Sequence, residues 1–170
     1  MGPKCDLLTL QLIVSAHLGL YRVMEPRLRQ QTPDCLHQHV GFRFREELAR
    51  ADLHDLGGEA RLVPTEPTPD FHTNAEWVGY LYVVEGASLG GREITARLSR
   101  LKGRLPPKDI RTFAPYGDRA APAWAKFLKI LRAQLSSESD FARCARAARQ
   151  TFAMHETFLT RAQEIGYGHR

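Results

Sequence analysis

No Cys-x-x-Cys pair occurs in this 170-residue chain, whose three cysteines, Cys5, Cys35 and Cys144, are odd in number and far apart. That argues against a zinc site or a disulfide framework and points to a reducing cytoplasm. An uninterrupted apolar run of about 20 residues, the length of a membrane span, is missing too. The most apolar early stretch, Leu7 to Tyr21, is broken by Gln11, Ser15 and His17. No membrane span is expected from it, and no small-residue cleavage pattern marks a signal peptide. The chain has no H-E-x-x-H or E-x-x-H pairing for a protein-built metal centre and no G-x-S-x-G nucleophile elbow. Cys35 and Cys144 have no basic motif nearby that would mark a nucleophile. A concentrated basic stripe is lacking as well. The net charge of +5 comes from Lys and Arg scattered over several segments, which does not argue for nucleic acid but suits an anionic ligand or an acidic redox partner.

What is present suits one globular domain. With 43% apolar and 25% charged residues, 170 residues can bury a real core. Apolar residues recur at helical spacing almost throughout, and the short run Leu81 to Val84 is the one tempting strand. The first helix is expected from Leu7 to about Gln30, with Leu10, Val14, His17, Tyr21 and Met24 on one face and a kink or new turn at Pro26. Thr32-Pro33-Asp34 breaks the pattern. A second helix is expected from Val40 to Leu56, with Phe44, Leu48, Ala51 and Leu56 inward and Gly57 after its end. Gly57 to Thr73, holding Pro64, Pro67 and Pro69, reads as the longest loop. A third helix, capped by Asn74, should end near Gly103. A fourth, capped by Asp118, carries the stripe Trp124, Phe127, Leu128, Leu131 and Leu135. A fifth opens with the capping-box-like Ser137 and Asp140 and aligns Phe141, Cys144, Ala148, Phe152, His155, Phe158 and Ala162 before Gly166. The fold class is therefore all-α, in a single domain.

The stretch Trp77 to Leu98 organises the chain. Between an apolar, aromatic half and an ordinary amphipathic half sits Gly86-Ala87-Ser88-Leu89-Gly90-Gly91. Each interior glycine costs a helix roughly 1 kcal/mol relative to alanine. Three of them require a loop, a close helix crossing, or a bare helix backbone lying against a flat ligand. A phosphate loop does not match the glycine order.

Two histidines lie on otherwise apolar helix faces. His17 sits one turn from Tyr21, and His155 lies between Phe152 and Phe158. Such residues most often satisfy a backbone carbonyl within a core, and otherwise look into a ligand pocket. Lys126 and Lys129 interrupt the stripe of the fourth helix and most often mean a solvated edge.

Leu81-Tyr-Val-Val-Glu-Gly-Ala-Ser-Leu-Gly-Gly91 resembles the distal-helix signature of bacterial heme oxygenases, as Phe113-Ala-Pro-Tyr-Gly117 with Trp124 to Phe127, and Tyr21 to Leu28, resemble two further segments of that family. The similarity runs from about Leu7 to Gly166. It implies a single-domain heme-oxygenase-like helical bundle in which heme is both cofactor and substrate, opened to biliverdin, carbon monoxide and iron. A reductase or ferredoxin would supply electrons, and a biliverdin acceptor such as a bacteriophytochrome would take the product. By resemblance Gly86, Gly90 and Gly91, with Tyr21 and Ser88, carry the catalytic side. His17, Phe113, Lys129, Phe152 and His155 contact heme, with Lys129 at the propionates. Some members place an aspartate where this chain has Ala87, which puts its task on Ser88 or Tyr21. The family's proximal histidine belongs to a preceding helix in a T-x-x-x-H pattern, and no residue here matches it. Residues 1–170 thus read as a domain short at its N-terminus, leaving the iron ligand open. The alternatives are a shortened enzyme, a short form with a substitute ligand, or a catalytically degenerate tetrapyrrole-binding or partner-binding protein.

Overall fold

The computed structural model describes residues 7–31, 36–59, 68–99 and 110–168, with side chains described except at 92, 95–99 and 165–168. Cys5, Cys35, Pro64, Pro67, the break at Thr32 to Asp34 and the helix end expected near Gly103 lie outside the described residues. Among those described there are six α-helices and no strand: α1 Leu7–Gln31, α2 Leu36–Val40, α3 Arg45–Asp55, α4 Asn74–Ser99, α5 Ala120–Gln134 and α6 Glu138–Gly168. The tempting strand Leu81 to Val84 lies inside α4, where the flanking periodicity overrides its local β character.

The core forms where α4 packs on α6 and α5, and α1 packs on α3 and α6. Leu10, Val14, Met24 and Leu28 of α1 meet Trp77, Val78, Leu81 and Val84 of α4 in one buried cluster. By length and composition α1 is apolar enough to cross a membrane. However, 56% of its most apolar window is buried inside the fold, as in a core helix. Pro26 lies within α1, which continues to Gln31.

Several helix boundaries differ from the sequence expectation, each for a local reason. The segment expected to be one helix from Val40 to Leu56 is two, because Gly41 turns the chain at φ +71° after α2. The inward face of α3 is Arg45, Ala49, Asp52 and Leu53, followed by Leu56, rather than Phe44, Leu48 and Ala51, which are only half-buried. The charged members of that face are buried because each has partners. Gly57 does follow α3, at φ +66°, with its N–H donating to the His54 carbonyl and the Gly58 N–H to that of Leu53.

Thr73, not Asn74, caps α4. Its hydroxyl accepts the Glu76 N–H at 3.3 Å while the Glu76 carboxylate accepts the Thr73 N–H at 3.1 Å, a reciprocal capping box. A 3-10 turn, Gly117–Arg119, precedes α5 and contains Asp118, so Asp118 is not its cap. Ser137 and Asp140 do open α6 reciprocally. Phe141 and Phe152 are exposed on α6, whose buried seam is Cys144, Ala147, Thr151, Met154, Phe158 and Ala162. The helix runs through Gly166 to Gly168, since a single glycine does not break a helix of 31 residues.

One glycine fixes how closely α4 and α6 approach. A Cβ on Gly79 would fall 2.3 Å from the Cys144 carbonyl oxygen and 3.0 Å from the Ala147 Cβ. Gly79→Ala should therefore lower stability by about 1–3 kcal/mol, the scale of overpacking a tight core. Denaturant unfolding of the variant checks this, and an unchanged midpoint would mean the two backbones are not in contact there.

Candidate functional site

A cleft of about 840 Å³ opens between α1, α4 and α6, within the roughly 300–1,000 Å³ range of small-molecule sites. Helix α1 contributes Leu10, Ile13, His17 and Tyr21, all on its apolar face. Helix α4 contributes Tyr82 to Val84 and Gly86 to Leu89, and α6 contributes Phe152, His155 and Leu159. Thr112, Phe113 and Trp124 close one end. The walls are mainly apolar and aromatic, and exposed Tyr82, Leu89 and Phe152 stand among them.

The sequence-predicted residues Gly86, Ser88, Tyr21, His17, Phe113, Phe152 and His155 are brought together here. Lys129 is not among the lining residues and is exposed on α5. The three glycines divide, for Gly86 lines the cleft and Gly90 and Gly91 are not among its lining residues. Helix α4 runs unbroken through all of them. A Cβ on Gly91 would fall 1.7 Å from the Phe113 carbonyl oxygen, so that glycine serves the packing of the 110–116 segment. A Cβ on Gly86 would meet only the edge of the Trp124 ring at 3.6 Å, and one on Gly90 would meet nothing within 4 Å. The protein's own packing therefore demands neither. At four-residue spacing they share one helix face.

Beneath that face lies a buried ion pair. Arg45 on α3 and Glu85 on α4 meet at 3.0 Å, both almost fully buried. The same guanidinium donates to the Ser88 hydroxyl at 2.8 Å, to the Val84 carbonyl at 3.3 Å and to the Arg43 carbonyl at 3.1 Å. The Tyr116 hydroxyl donates to Glu85 at 3.1 Å. Burial alone would lower the Arg45 pKa, but Glu85, Tyr21 and Tyr116 more than offset it, and the guanidinium stays charged. Burial pushes Tyr21 up to about 12, against the opposing influence of Arg45, so its hydroxyl keeps its proton.

Arg45 is itself seated by α1. The N-cap position of α3, Phe44, makes no side-chain cap bond, and Glu25 supplies one from across the fold. Its carboxylate accepts the Arg45 N–H at 2.6 Å and the Glu46 N–H at 3.1 Å. Asp52 does similar work at the other end of α3, accepting the Thr112 N–H and hydroxyl, both at 2.7 Å, which places Phe113 at the cleft.

The two histidine rings, one from α1 and one from α6, meet edge to face at the cleft with centroids 5.6 Å apart. His17 Nδ1 lies 2.9 Å from the Ile13 carbonyl, while His155 Nε2 is buried without a hydrogen-bond partner. Burial lowers both pKa values, that of His155 to about 3 with further help from His17 and Arg45.

Arg45, Glu85, Glu25 and Trp124 were not legible in the sequence as parts of a site. The available signal was Glu85, an acid closing an apolar run, which in a buried helix needs a cation.

Fold and cleft together define a small all-α protein whose glycine-bearing helix forms one wall of a mainly apolar cleft. Residues 62–161 match the family profile described as heme oxygenase. A heme oxygenase of Xanthomonas campestris pv. campestris is 31% identical over 134 residues, which span 76% of this chain and 78% of that protein. The crystallised heme oxygenase of Neisseria meningitidis, solved with NO and CO bound, has the same fold. Its TM-score is 0.58 at 23% identity, covering 92% of this chain and 73% of that one. The chain belongs to the heme oxygenase family.

Breaking the buried pair should be costly. Arg45→Met leaves Glu85 buried without its cation and should destabilise by about 3–5 kcal/mol, and adding Glu85→Gln should restore part of that. Urea melts of the single and double variants check it; equal losses would deny the coupling.

The His155 shift makes a signed prediction. The unfolded chain binds a proton as pH falls through about 6.5, whereas folded His155 resists until about 3. Its share of stability is therefore complete above pH 6.5 and lost progressively below it. Glu25, raised by burial to about 7, acts in the opposite sense and loses its share as pH rises through that value. His155→Leu should flatten only the acid-side fall, seen as the difference between parent and variant urea midpoints from pH 5 to 7.5. Parallel curves would show that His155 is not buried neutral.

Proposed function

We propose that this chain opens heme oxidatively to biliverdin, carbon monoxide and ferrous iron, with the macrocycle seated in the cleft between α1, α4 and α6. The observation that carries this reading is Gly86, which lines the cleft and is required by no packing within the protein, so a ligand lying against the backbone accounts for it. Gly90, exposed and outside the lining residues, continues the same helix face one turn on. Two further features fit a porphyrin: the apolar walls, and the buried His155 Nε2 that lacks a partner within the protein.

Heme, when bound, supplies the redox and oxygen-activating chemistry. The protein's part is to hold the ring, exclude bulk water and present protons. Phe113 and Phe152 would cover the ring's faces and edges, and His17 and His155 are the nitrogen donors on the walls. Ser88 accepts from Arg45, so its own O–H is left to donate toward the cleft at the position beside Ala87. Tyr21, held protonated, is a second donor on the facing helix. The ion pair of Arg45 with Glu85 keeps Ser88 from turning away.

Electrons would come from a reductase or ferredoxin, for which the net charge of +5 favours an acidic docking face. A bacteriophytochrome is a suitable acceptor for the product. The reducing cytoplasm suits both the cysteine pattern and the free, buried Cys144. No observation favours the catalytically degenerate alternative.

Hemin added to the protein should give a Soret band, and ascorbate or a reductase should then yield biliverdin. Gly86→Leu and Gly90→Leu should each weaken hemin binding at least tenfold, about 1.4 kcal/mol, without a matching loss of unfolding temperature. Unchanged hemin affinity in both would remove the macrocycle from this cleft.

A further inference from the structure

The two cleft histidines carry more than contacts to a flat ligand. His17 comes from α1 and His155 from α6, and their rings stand 5.6 Å apart, centroid to centroid. The partner of His17 Nδ1 is the Ile13 carbonyl oxygen, which can only accept. The proton therefore sits on Nδ1, and Nε2 carries the lone pair. A backbone carbonyl that fixes the tautomer and turns the ring is the usual support of a metal-ligating imidazole. On the other wall, His155 Nε2 is buried and has no partner to occupy it. Metal–nitrogen bonds of roughly 2.0–2.1 Å put two imidazoles sharing one ion about 5–6.5 Å apart between centroids, from tetrahedral to linear arrangements. The observed separation lies inside that window.

We propose that His17 and His155 form a two-imidazole site for a divalent first-row transition-metal ion when no porphyrin fills the cleft. Among the described residues no group of three or more His, Cys, Asp and Glu gathers around a point. Water completes the coordination, and the ion is held loosely. Nitrogen donors suit iron, nickel, copper and zinc, and not calcium or magnesium, which require oxygen. One consequence rests on the proposed ring opening: ferrous iron freed in this cleft meets these two imidazoles before it reaches solvent. The site itself does not depend on that reaction.

The test is calorimetric titration of the ligand-free chain with Zn²⁺, together with the paramagnetic resonance spectrum of bound Cu²⁺. One ion per chain with two nitrogens coupled to copper is expected. His17→Gln and His155→Leu should each weaken Zn²⁺ binding at least tenfold. His155→Leu removes an Nε2 that has no bond to lose, and a thermal melt confirms that the variant is folded. His37 and His39, two residues apart on α2, are the competing surface donors. Zn²⁺ binding retained in folded His155→Leu and lost in His37→Ala/His39→Ala would overturn the proposal. A separate hemin titration keeps the two readings apart: failure to bind hemin counts against heme oxidation alone, while Zn²⁺ affinity unaffected by the cleft substitutions counts against the metal site alone.

Discussion

The rest of the site depends on one buried pair, Arg45 and Glu85. Two charges withdrawn from water are expensive, and the pair is held by several further hydrogen bonds that offset the cost. Glu25 seats the Arg45 backbone, the Val84 and Arg43 carbonyls and the Ser88 hydroxyl take its guanidinium, and Tyr116 donates to Glu85. The network joins α1, α3, α4 and the turn before α5. It lies immediately behind the stretch of α4 that faces the cleft. A polar cluster of this kind is more useful as a fixed geometry than as a source of net stability, since it permits one arrangement of its members.

The glycines of α4 illustrate how one sequence feature can serve several physical ends. Gly79 lets α6 lie against the α4 backbone, and Gly91 makes room for the Phe113 carbonyl. Gly86 and Gly90 answer to no protein neighbour closer than ordinary contact. A run of glycines in a sequence is thus a composite, and only Gly86 both lines the cleft and is left unexplained by packing.

Much of the fold was legible because α1 and α4 bury their apolar stripes with little interruption, and α5 buries Phe127 and packs Trp124, Leu128 and Leu131 against the core. The errors fall where side chains act across the fold rather than along a helix. Thr73 replaces Asn74 as a cap because Glu76 reciprocates, and α3 starts at Arg45 because Glu25, twenty residues away, supplies its cap. Arg45 and Asp52 take the inward face that periodicity gave to Phe44 and Leu48, since hydrogen-bond partners outweigh hydropathy once they are within reach. At the site, residues on helix faces, such as His17, Tyr21 and His155, could be anticipated from spacing. Their supporting charges could not, because Arg45 and Glu85 are 40 residues apart and meet only in the folded chain.

Helix α6 has two kinds of neighbour along its length. Near its start, Cys144 and Ala147 press on the α4 backbone at Gly79, whereas farther along Phe152, His155 and Leu159 face the cleft. Beyond Thr151 the seam of Met154, Phe158 and Ala162 stays in the protein's own core, while the cleft-facing side is completed by whatever the cleft contains. In such an arrangement the ligand extends the core in the thermodynamic sense, and its presence adds to the local stability of the second half of α6. Amide exchange along this one helix would then be a graded record of occupancy, slow throughout near Cys144 and governed beyond Thr151 by the guest.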